Sequence, residues 1–136
     1  MFKGFKNKIT IPMLIVLISL FSAGCSAGSY KTKMSVENNT AKRMQMSYSS
    51  FEGYKYTSIK LKKGDELTLN VNVTTEKGNL KISVLDEDDT ELFKTENPKE
   101  EITKTIKIDK DADYKIKVEG KHKGKYKITW DTKESE

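Results

Sequence analysis

Apolar residues alternate with polar ones along most of the chain after residue 30. The clearest run covers residues 67–73, in which every second residue is Leu or Val and the residues between are Thr or Asn. A period of two is typical of β-strands that bury one face. Similar runs cover residues 30–36, 44–48, 80–84, 92–93, 102–108, 114–118 and 126–130. Because no apolar stripe with helical spacing occurs among these runs, an all-β fold is predicted.

Clusters of Gly, Asn and Asp separate the alternating runs, and these residues tolerate the backbone angles of tight turns. The clusters lie at residues 63–65, 76–79, 86–90, 109–113 and 119–124, and a loop around Pro98 covers residues 97–101. Seven to nine short strands at this spacing are typical of an antiparallel β-sandwich. We therefore predict one jelly-roll-like sandwich over residues 30–133.

The N-terminal segment has the pattern of a secretory signal. Three lysines precede an apolar run at residues 9–21, which is shorter than the roughly 20 residues that a spanning helix needs. The run ends in Ser22-Ala23-Gly24-Cys25, which resembles the lipobox of bacterial lipoproteins, although Ser22 stands where that family prefers Leu, Val or Ile. The resemblance implies a signal peptide of residues 1–24, cleaved between Gly24 and Cys25.

Lipidation of Cys25 follows from the same resemblance. It implies a covalent diacylglyceryl group, with a further N-acyl (palmitate) chain as an option, and attachment to the outer face of a Gram-positive cell membrane. Residues 25–29 are then the lipidated N-terminus and a tether. In the alternative of a soluble secreted protein, the lone cysteine would be an unpaired thiol in an oxidising compartment.

Charge excludes nucleic acid as the expected partner. The chain has 25 basic and 20 acidic residues, and three of the basic ones but no acidic ones lie in residues 1–24. The remaining chain therefore has a formal charge of only +2, without a concentrated basic cluster in the sequence.

The stretch from residue 54 to residue 130 resembles the bacterial pre-peptidase C-terminal family of β-sandwich modules. The matching segments are residues 56–69, 80–86, 112–118 and 124–130, which follow the family's order of an aromatic strand, a Gly turn, an alternating strand and two closing strands. The resemblance implies a sandwich that accompanies a catalytic domain elsewhere, and it supports fold more than function.

No catalytic site and no cofactor are predicted. The single His122 lies among lysines in residues 120–124, which predicts an exposed histidine in a turn. One histidine and one cysteine cannot assemble a zinc site of the usual ligand types. Asp86, Asp88 and Asp89 are weak calcium candidates, but the spacing of an EF-hand fails, and a solvated acidic turn is the preferred interpretation.

Aromatic and lysine residues supply the remaining candidates. Phe51, Tyr54 and Tyr56 would suit stacking on a sugar, but aromatics on alternating strands usually fill the core, and the same is predicted for Tyr114, Tyr126 and Trp130. Four lysines share the outward parity of the last strands and form a candidate strip for docking on anionic lipid or wall polymer, with a solvated face as the alternative: Lys115, Lys117, Lys125 and Lys127.

These observations predict a lipid-anchored, non-enzymatic, monomeric protein of the cell envelope that acts as a binding module. Its candidate partners are the membrane, an envelope protein, a peptide or an anionic wall polymer. The alternatives are an accessory subunit that docks through a strand edge, an immunity-type lipoprotein that captures an antimicrobial peptide, and a pheromone released from residues 17–24.

Overall fold

The computed structural model describes residues 26–134, which form an antiparallel sheet of seven strands. The strands are β1 (Ser26–Lys33), β2 (Val36–Glu37), β3 (Arg43–Leu61), β4 (Glu66–Leu85), β5 (Glu91–Glu96), β6 (Ile102–Lys107) and β7 (Ala112–Lys133). The predicted all-β class is confirmed. Within the described range, no helix that is long and apolar enough to cross a membrane occurs. The predicted signal peptide and Cys25 lie outside the described residues and stay predictions.

Three long strands run through the whole sheet, with β7 at its centre between β3 and β4. Each outer long strand pairs with two short edge strands in succession: β3 with β2 and then β1, and β4 with β6 and then β5. The first half of the sheet therefore contains β1, β5 and residues 51–61, 77–85 and 112–122. The second half contains β2, β6 and residues 43–48, 66–75 and 124–133.

One face of the sheet carries the hydrophobic core. Side chains such as Met44, Leu69, Ile82 and Ile128 are completely buried, although no helix or second sheet among residues 26–134 covers them. A continuous sheet can bury one face in this way only when its two halves fold over and pack against each other. The predicted antiparallel β-sandwich is confirmed, and its two layers are the two halves of one sheet.

The sheet folds along a crease that crosses the three long strands. Irregular pairing interrupts β3 between Tyr48 and Phe51 and β4 between Thr75 and Lys77, and β7 has Gly120 and Gly124 at positive φ. Bulges and glycines bend a strand without ending it. The turns predicted at residues 76–79 and 119–124 were therefore wrong, because these residues lie inside β4 and β7.

The N-terminal strand also differs from the prediction. Residues 26–29, expected as a tether, pair with β3 as part of β1. The alternating run at residues 30–36 does not continue as one half-buried strand: Met34 adopts a positive φ and is 88% exposed, and Val36 is 69% exposed. The chain at this point passes from the first half of the sheet to the second, so no layer covers these side chains.

Candidate functional site

A groove crosses the outer face of the first half and encloses about 490 Å³. It lies on the side of the sheet that faces away from the core. Strands β3, β4, β5 and β7 and the turn after β4 supply its lining residues: Tyr54, Tyr56, Lys81, Ser83, Leu85, Asp89, Glu91, Lys115, Lys117 and Glu119. The combination of aromatic rings with several polar groups in one concave surface is typical of a ligand site.

Tyr54 and Tyr56 point outward, so the prediction that they fill the core was wrong. The bulge after Tyr48 moves the inward parity of β3 from even to odd residue numbers, which buries Phe51 and leaves Tyr54 40% exposed. The same prediction was correct for Phe51, Tyr114, Tyr126 and Trp130, which are all buried in the core. A parity change of this kind depends on a bulge that the alternation of the sequence does not display.

Each groove tyrosine carries a lysine over its ring. The ammonium of Lys115 lies 5.0 Å from the ring centre of Tyr56, and that of Lys117 lies 5.1 Å from the ring centre of Tyr54. Cation–π contacts at exposed sites contribute about 0.5–1 kcal/mol, which a ligand that offers a comparable contact can replace. The lysines therefore orient the rings without sealing the groove.

The charges in the groove are balanced in pairs. Lys81 contacts Glu91 at 2.6 Å, Lys115 contacts Asp89 at 3.4 Å, and Lys117 contacts Glu119 at 3.6 Å. The hydrogen bond to Glu91 raises the pKa of Lys81, and the same bond lowers the pKa of the Glu91 carboxyl. Three cations facing three carboxylates favour a ligand without strong net charge.

The floor of the groove is unusually well covered for an outer face. Ser83 is 1% exposed and Leu85 is 6% exposed, although it is their neighbours Ile82 and Val84 that point into the core. Strand β4 is therefore buried on both sides at this point. The tyrosine and lysine side chains that surround Ser83 and Leu85 form a packed surface, which holds the groove in a defined shape.

The four predicted docking lysines do not form one strip. Lys115 and Lys117 line the groove and are ion-paired, whereas Lys125 and Lys127 lie beyond the crease on the outer face of the second half. There they line a separate concavity of about 490 Å³ together with Asn72, which projects from β4. The four lysines belong to one alternating series in the sequence, but the crease in β7 separates Lys115 and Lys117 from Lys125 and Lys127.

The acidic turn that contains the calcium candidates is held by the protein's own groups. Asp86 accepts hydrogen bonds from the backbone N–H groups of residues 88 and 90, and these bonds, chiefly the one from Thr90, lower the pKa of its carboxyl. Asp88 contacts Lys110 and Asp89 contacts Lys115. No group of three or more potential metal ligands is assembled within residues 26–134. The calcium site stays a prediction.

His122 is buried, so its predicted position in an exposed turn was wrong. Its side chain points into the core at the crease and is 3% exposed. One ring nitrogen is hydrogen-bonded to the Tyr48 hydroxyl at 2.7 Å, and the other to the Thr75 hydroxyl at 2.9 Å. Burial lowers the pKa of His122 and raises that of Tyr48. Residue 122 has an even number, like the buried residues of β7 on either side of it, and this signal in the sequence was overlooked.

Comparisons with known proteins found no matching family model and no matching curated protein. Solved structures with a similar arrangement include a mutant of a carbohydrate-binding module of family 29 (TM-score 0.47, 16% identity, 83% of each chain covered). A module named TmCBM61 in complex with β-1,4-galactotriose has a TM-score of 0.45 at 14% identity, over 85% of this chain and 90% of that one. The C-terminal CBM6 of LamC from Zobellia galactanivorans has a TM-score of 0.41 at 12% identity, over 77% and 90%.

These likenesses are too distant to carry an argument about the ligand of this chain. The resemblances to the lipobox and to the pre-peptidase C-terminal family also stay predictions, because no family model matches. The geometry of the groove is therefore the observation from which function is argued.

Proposed function

We propose that this chain is a lipid-anchored, non-enzymatic binding module of the bacterial cell envelope, and that the groove on the first half holds a neutral, polyhydroxylated ligand of the carbohydrate class. The observation that carries the proposal is the pair of outward tyrosines in a charge-balanced groove. Tyrosine offers an apolar ring and a polar tip, and both suit a sugar, which has apolar ring faces and hydroxyl edges. Paired charges add hydrogen-bonding groups without attracting an ion.

Binding rather than catalysis is supported by the state of the carboxylates in the groove. A general acid needs a raised pKa, but the contact with Lys81 lowers the pKa of Glu91. Asp89 contacts Lys115 and Glu119 contacts Lys117, so each groove carboxylate has a cation beside it. The only histidine of the chain lies in the core at the crease, away from the groove residues.

The anchor at Cys25 is part of the proposal, and the pairing of β1 supports its use. Strand β1 begins at Ser26, directly after Cys25, and its residues Ala27 and Ser29 pair with Tyr56 and Tyr54. A lipid on Cys25 would hold the groove no farther from the membrane surface than the length of β1. The module would then meet glycans that lie close to the membrane.

The groove is tested by titrating the full chain with neutral gluco-, manno- and galacto-oligosaccharides and measuring binding by calorimetry. We expect Tyr54→Ala and Tyr56→Ala each to weaken binding about tenfold, which corresponds to about 1.4 kcal/mol. Tyr30→Ala is the matched control, because Tyr30 is 38% exposed but stacks on Phe51 on the other face. Equal losses in all three variants, or no binding of any neutral glycan, would contradict the proposed site.

The anchor is tested separately with Cys25→Ala. The variant should accumulate as unprocessed precursor and take up no labelled palmitate, since the thiol that accepts the lipid is gone. Labelling at the wild-type level would contradict lipidation of Cys25 and would leave the groove proposal unaffected.

A further inference from the structure

A row of four lysines occupies alternate positions of β7 on the outer face of the sheet. We call this row the lysine ladder, and its members are Lys121, Lys123, Lys125 and Lys127. All four side chains are exposed. Alternate residues of a strand lie about 7 Å apart on one face, so the ladder spans about 20 Å and passes over the crease at Gly124.

The ladder is not neutralised by the protein. No ion pair found within residues 26–134 involves a ladder lysine, whereas Lys81, Lys115 and Lys117 in the groove each contact a carboxylate. The residues that pair with the ladder on β3 and β4 are mostly neutral and polar: Gln45, Ser47, Asn72, Thr74 and Asn79. Such side chains donate and accept hydrogen bonds but supply no countercharge.

Repulsion within the ladder is increased by Lys77, which lies directly opposite Lys123 on β4. Like charges at directly opposed positions of a sheet are destabilising. Lysines often guard the open edge of a sheet, but β7 lies between β3 and β4 and has no open edge. Protection of an edge therefore does not explain why these positions are basic.

Two concavities follow the ladder along its length. The first encloses about 630 Å³ over the crease and includes Lys77, Lys121 and Lys123. The second encloses about 490 Å³ over the second half and includes Lys125 and Lys127. Because Lys123 and Lys125 are neighbours on the ladder, the two concavities lie one after the other along β7, and we call this succession the basic path.

Besides Glu119, which contacts Lys117 at 3.6 Å, three acidic residues among residues 26–134 lie near this path. Glu52 pairs with Lys121 across β3 and β7, Glu76 precedes Lys77 in the bulge of β4, and Glu101 lines a small depression beside Lys127. All three are exposed, and none forms an ion pair with a ladder lysine. The path therefore keeps a net positive charge along its length.

We propose that the lysine ladder binds an extended polyanion, a soluble chain in which phosphodiester charges repeat along a polyol backbone. A line of cations at regular spacing fits a linear polymer, because each further phosphate that is bound adds an ion pair and releases counterions. The neutral side chains beside the ladder are placed to hydrogen-bond the hydroxyl groups of such a backbone.

The choice of a polymer over anionic lipid rests on the proposed anchor. Ser26 pairs with Thr57 at one end of β1, whereas the other end, Lys33, pairs with Ser50 at the crease. Seven residues of strand place the crease about 20 Å from the attachment point. With β1 upright on the membrane, charges at that distance are largely screened from the lipid headgroups, because the Debye length is about 8 Å at physiological salt.

The test uses the full chain in a neutral detergent and two sources of the same glycerol phosphate chemistry. One is a synthetic poly(glycerol phosphate) oligomer, and the other is vesicles of phosphatidylglycerol. We expect the oligomer to bind with an affinity that falls steeply with salt. Lys123→Gln/Lys125→Gln should weaken binding about tenfold and reduce the salt dependence.

The matched control is Lys60→Gln/Lys107→Gln, which removes the same charge from exposed lysines outside the path. We expect this control to bind as wild type and a neutral polyglycerol not to bind. Equal weakening by the two double variants would show general charge attraction, and tighter binding to the vesicles through the ladder would show membrane docking. Either result, or no binding of the oligomer, overturns the proposal.

A stability readout guards against misfolding of the variant. Because the ladder lysines repel one another, Lys123→Gln/Lys125→Gln should melt at the wild-type temperature or slightly above it. Loss of binding in a variant that melts well below wild type would be assigned to unfolding. The single variant Lys127→Gln, at the end of the ladder, then replaces it, and wild-type binding by that variant would also count against the ladder.

Discussion

Two stretches of β7, residues 115–117 and residues 121–127, both carry outward lysines at alternate positions but have opposite electrostatic surroundings. At residues 115–117, each outward lysine contacts a carboxylate and lies over a tyrosine ring. At residues 121–127, the outward lysines contact no carboxylate of residues 26–134 and are flanked mainly by Asn, Ser, Thr and Gln. The surface at residues 115–117 is suited to a neutral ligand, and the surface at residues 121–127 is suited to an anionic one.

The difference arises partly from the strands that lie beside β7 and partly from β7 itself, where Glu119 contacts Lys117. Cross-strand neighbours determine whether a side chain on a sheet is paired or repelled. In the first half, β5 and the turn before it supply Glu91 and Asp89. In the second half, the strands beside β7 supply neutral residues. One alternating lysine pattern therefore builds two different surfaces on the outer face of β7.

The largest expected effect comes from disturbing the crease that the lysine ladder crosses. A Cβ at Gly124 would lie 2.0 Å from the Thr74 carbonyl oxygen, and the residue has a φ of +144°. We expect Gly124→Ala to lower the free energy of unfolding by about 2–4 kcal/mol, measured by urea denaturation. The neighbouring Lys125→Ala should change it by less than about 0.5 kcal/mol. Wild-type stability of the glycine variant would contradict the described crease.

A smaller effect is expected from His122, whose ring joins β7 to Tyr48 and Thr75 beneath the crease. Because burial lowers its pKa, the unfolded chain binds more protons than the folded one as pH falls through about 6.5. The contribution of neutral His122 to stability is therefore present at pH 7.5 and is lost as pH falls toward the depressed folded pKa. Melting temperature should drop between pH 7.5 and pH 5.

The control for this pH dependence is His122→Gln, which cannot titrate. Its melting temperature should be lower than wild type at pH 7.5 but should change less between pH 7.5 and pH 5, a range above the pKa values of most carboxyl groups. An equal drop in wild type and variant would assign the pH dependence to other residues.

The smallest effect directly compares the balanced groove with the ladder. Lys81→Gln leaves the Glu91 carboxylate without its partner, so the melting temperature should fall slightly. Lys125→Gln removes a repelled charge, so the melting temperature should stay or rise. In 1 M NaCl, where the Debye length is about 3 Å, the two variants should converge. Shifts of the same sign at low salt would show that the two surfaces do not differ as described.

Much of the fold was predictable because strand alternation is a local property. Residues 67–73 and 126–130 were predicted as half-buried strands, and their apolar side chains are in the core. Bulges were not predictable, because an extra residue in one strand cannot be distinguished from a turn unless the strands that pair with it are known. That is why residues 76–79 were predicted as a turn. Residues 119–124 were predicted as a turn, with His122 exposed, because Gly120 and Gly124 bend β7 without ending it.

The positions of some residues of the candidate site were predictable from the sequence, and the positions of others were not. The outward position of Lys115, Lys117, Lys125 and Lys127 follows from their parity and was predicted correctly. The outward position of Tyr54 and Tyr56 depends on the bulge after Tyr48, so their assignment to the core failed. The contact of Lys115 with Asp89 required the strand order, which alternation alone does not define, whereas Lys117 contacts Glu119 within β7.

The sequence by itself determined the β-class of this protein, the buried identity of most apolar residues and the lysine-rich outer face of its last strand, since these properties depend on residues two positions apart. Only the tertiary structure decided that the strands continue through a crease, that two tyrosines face outward, and that one lysine series is divided into a neutralised and a charged part. Those features depend on contacts between residues far apart in the chain.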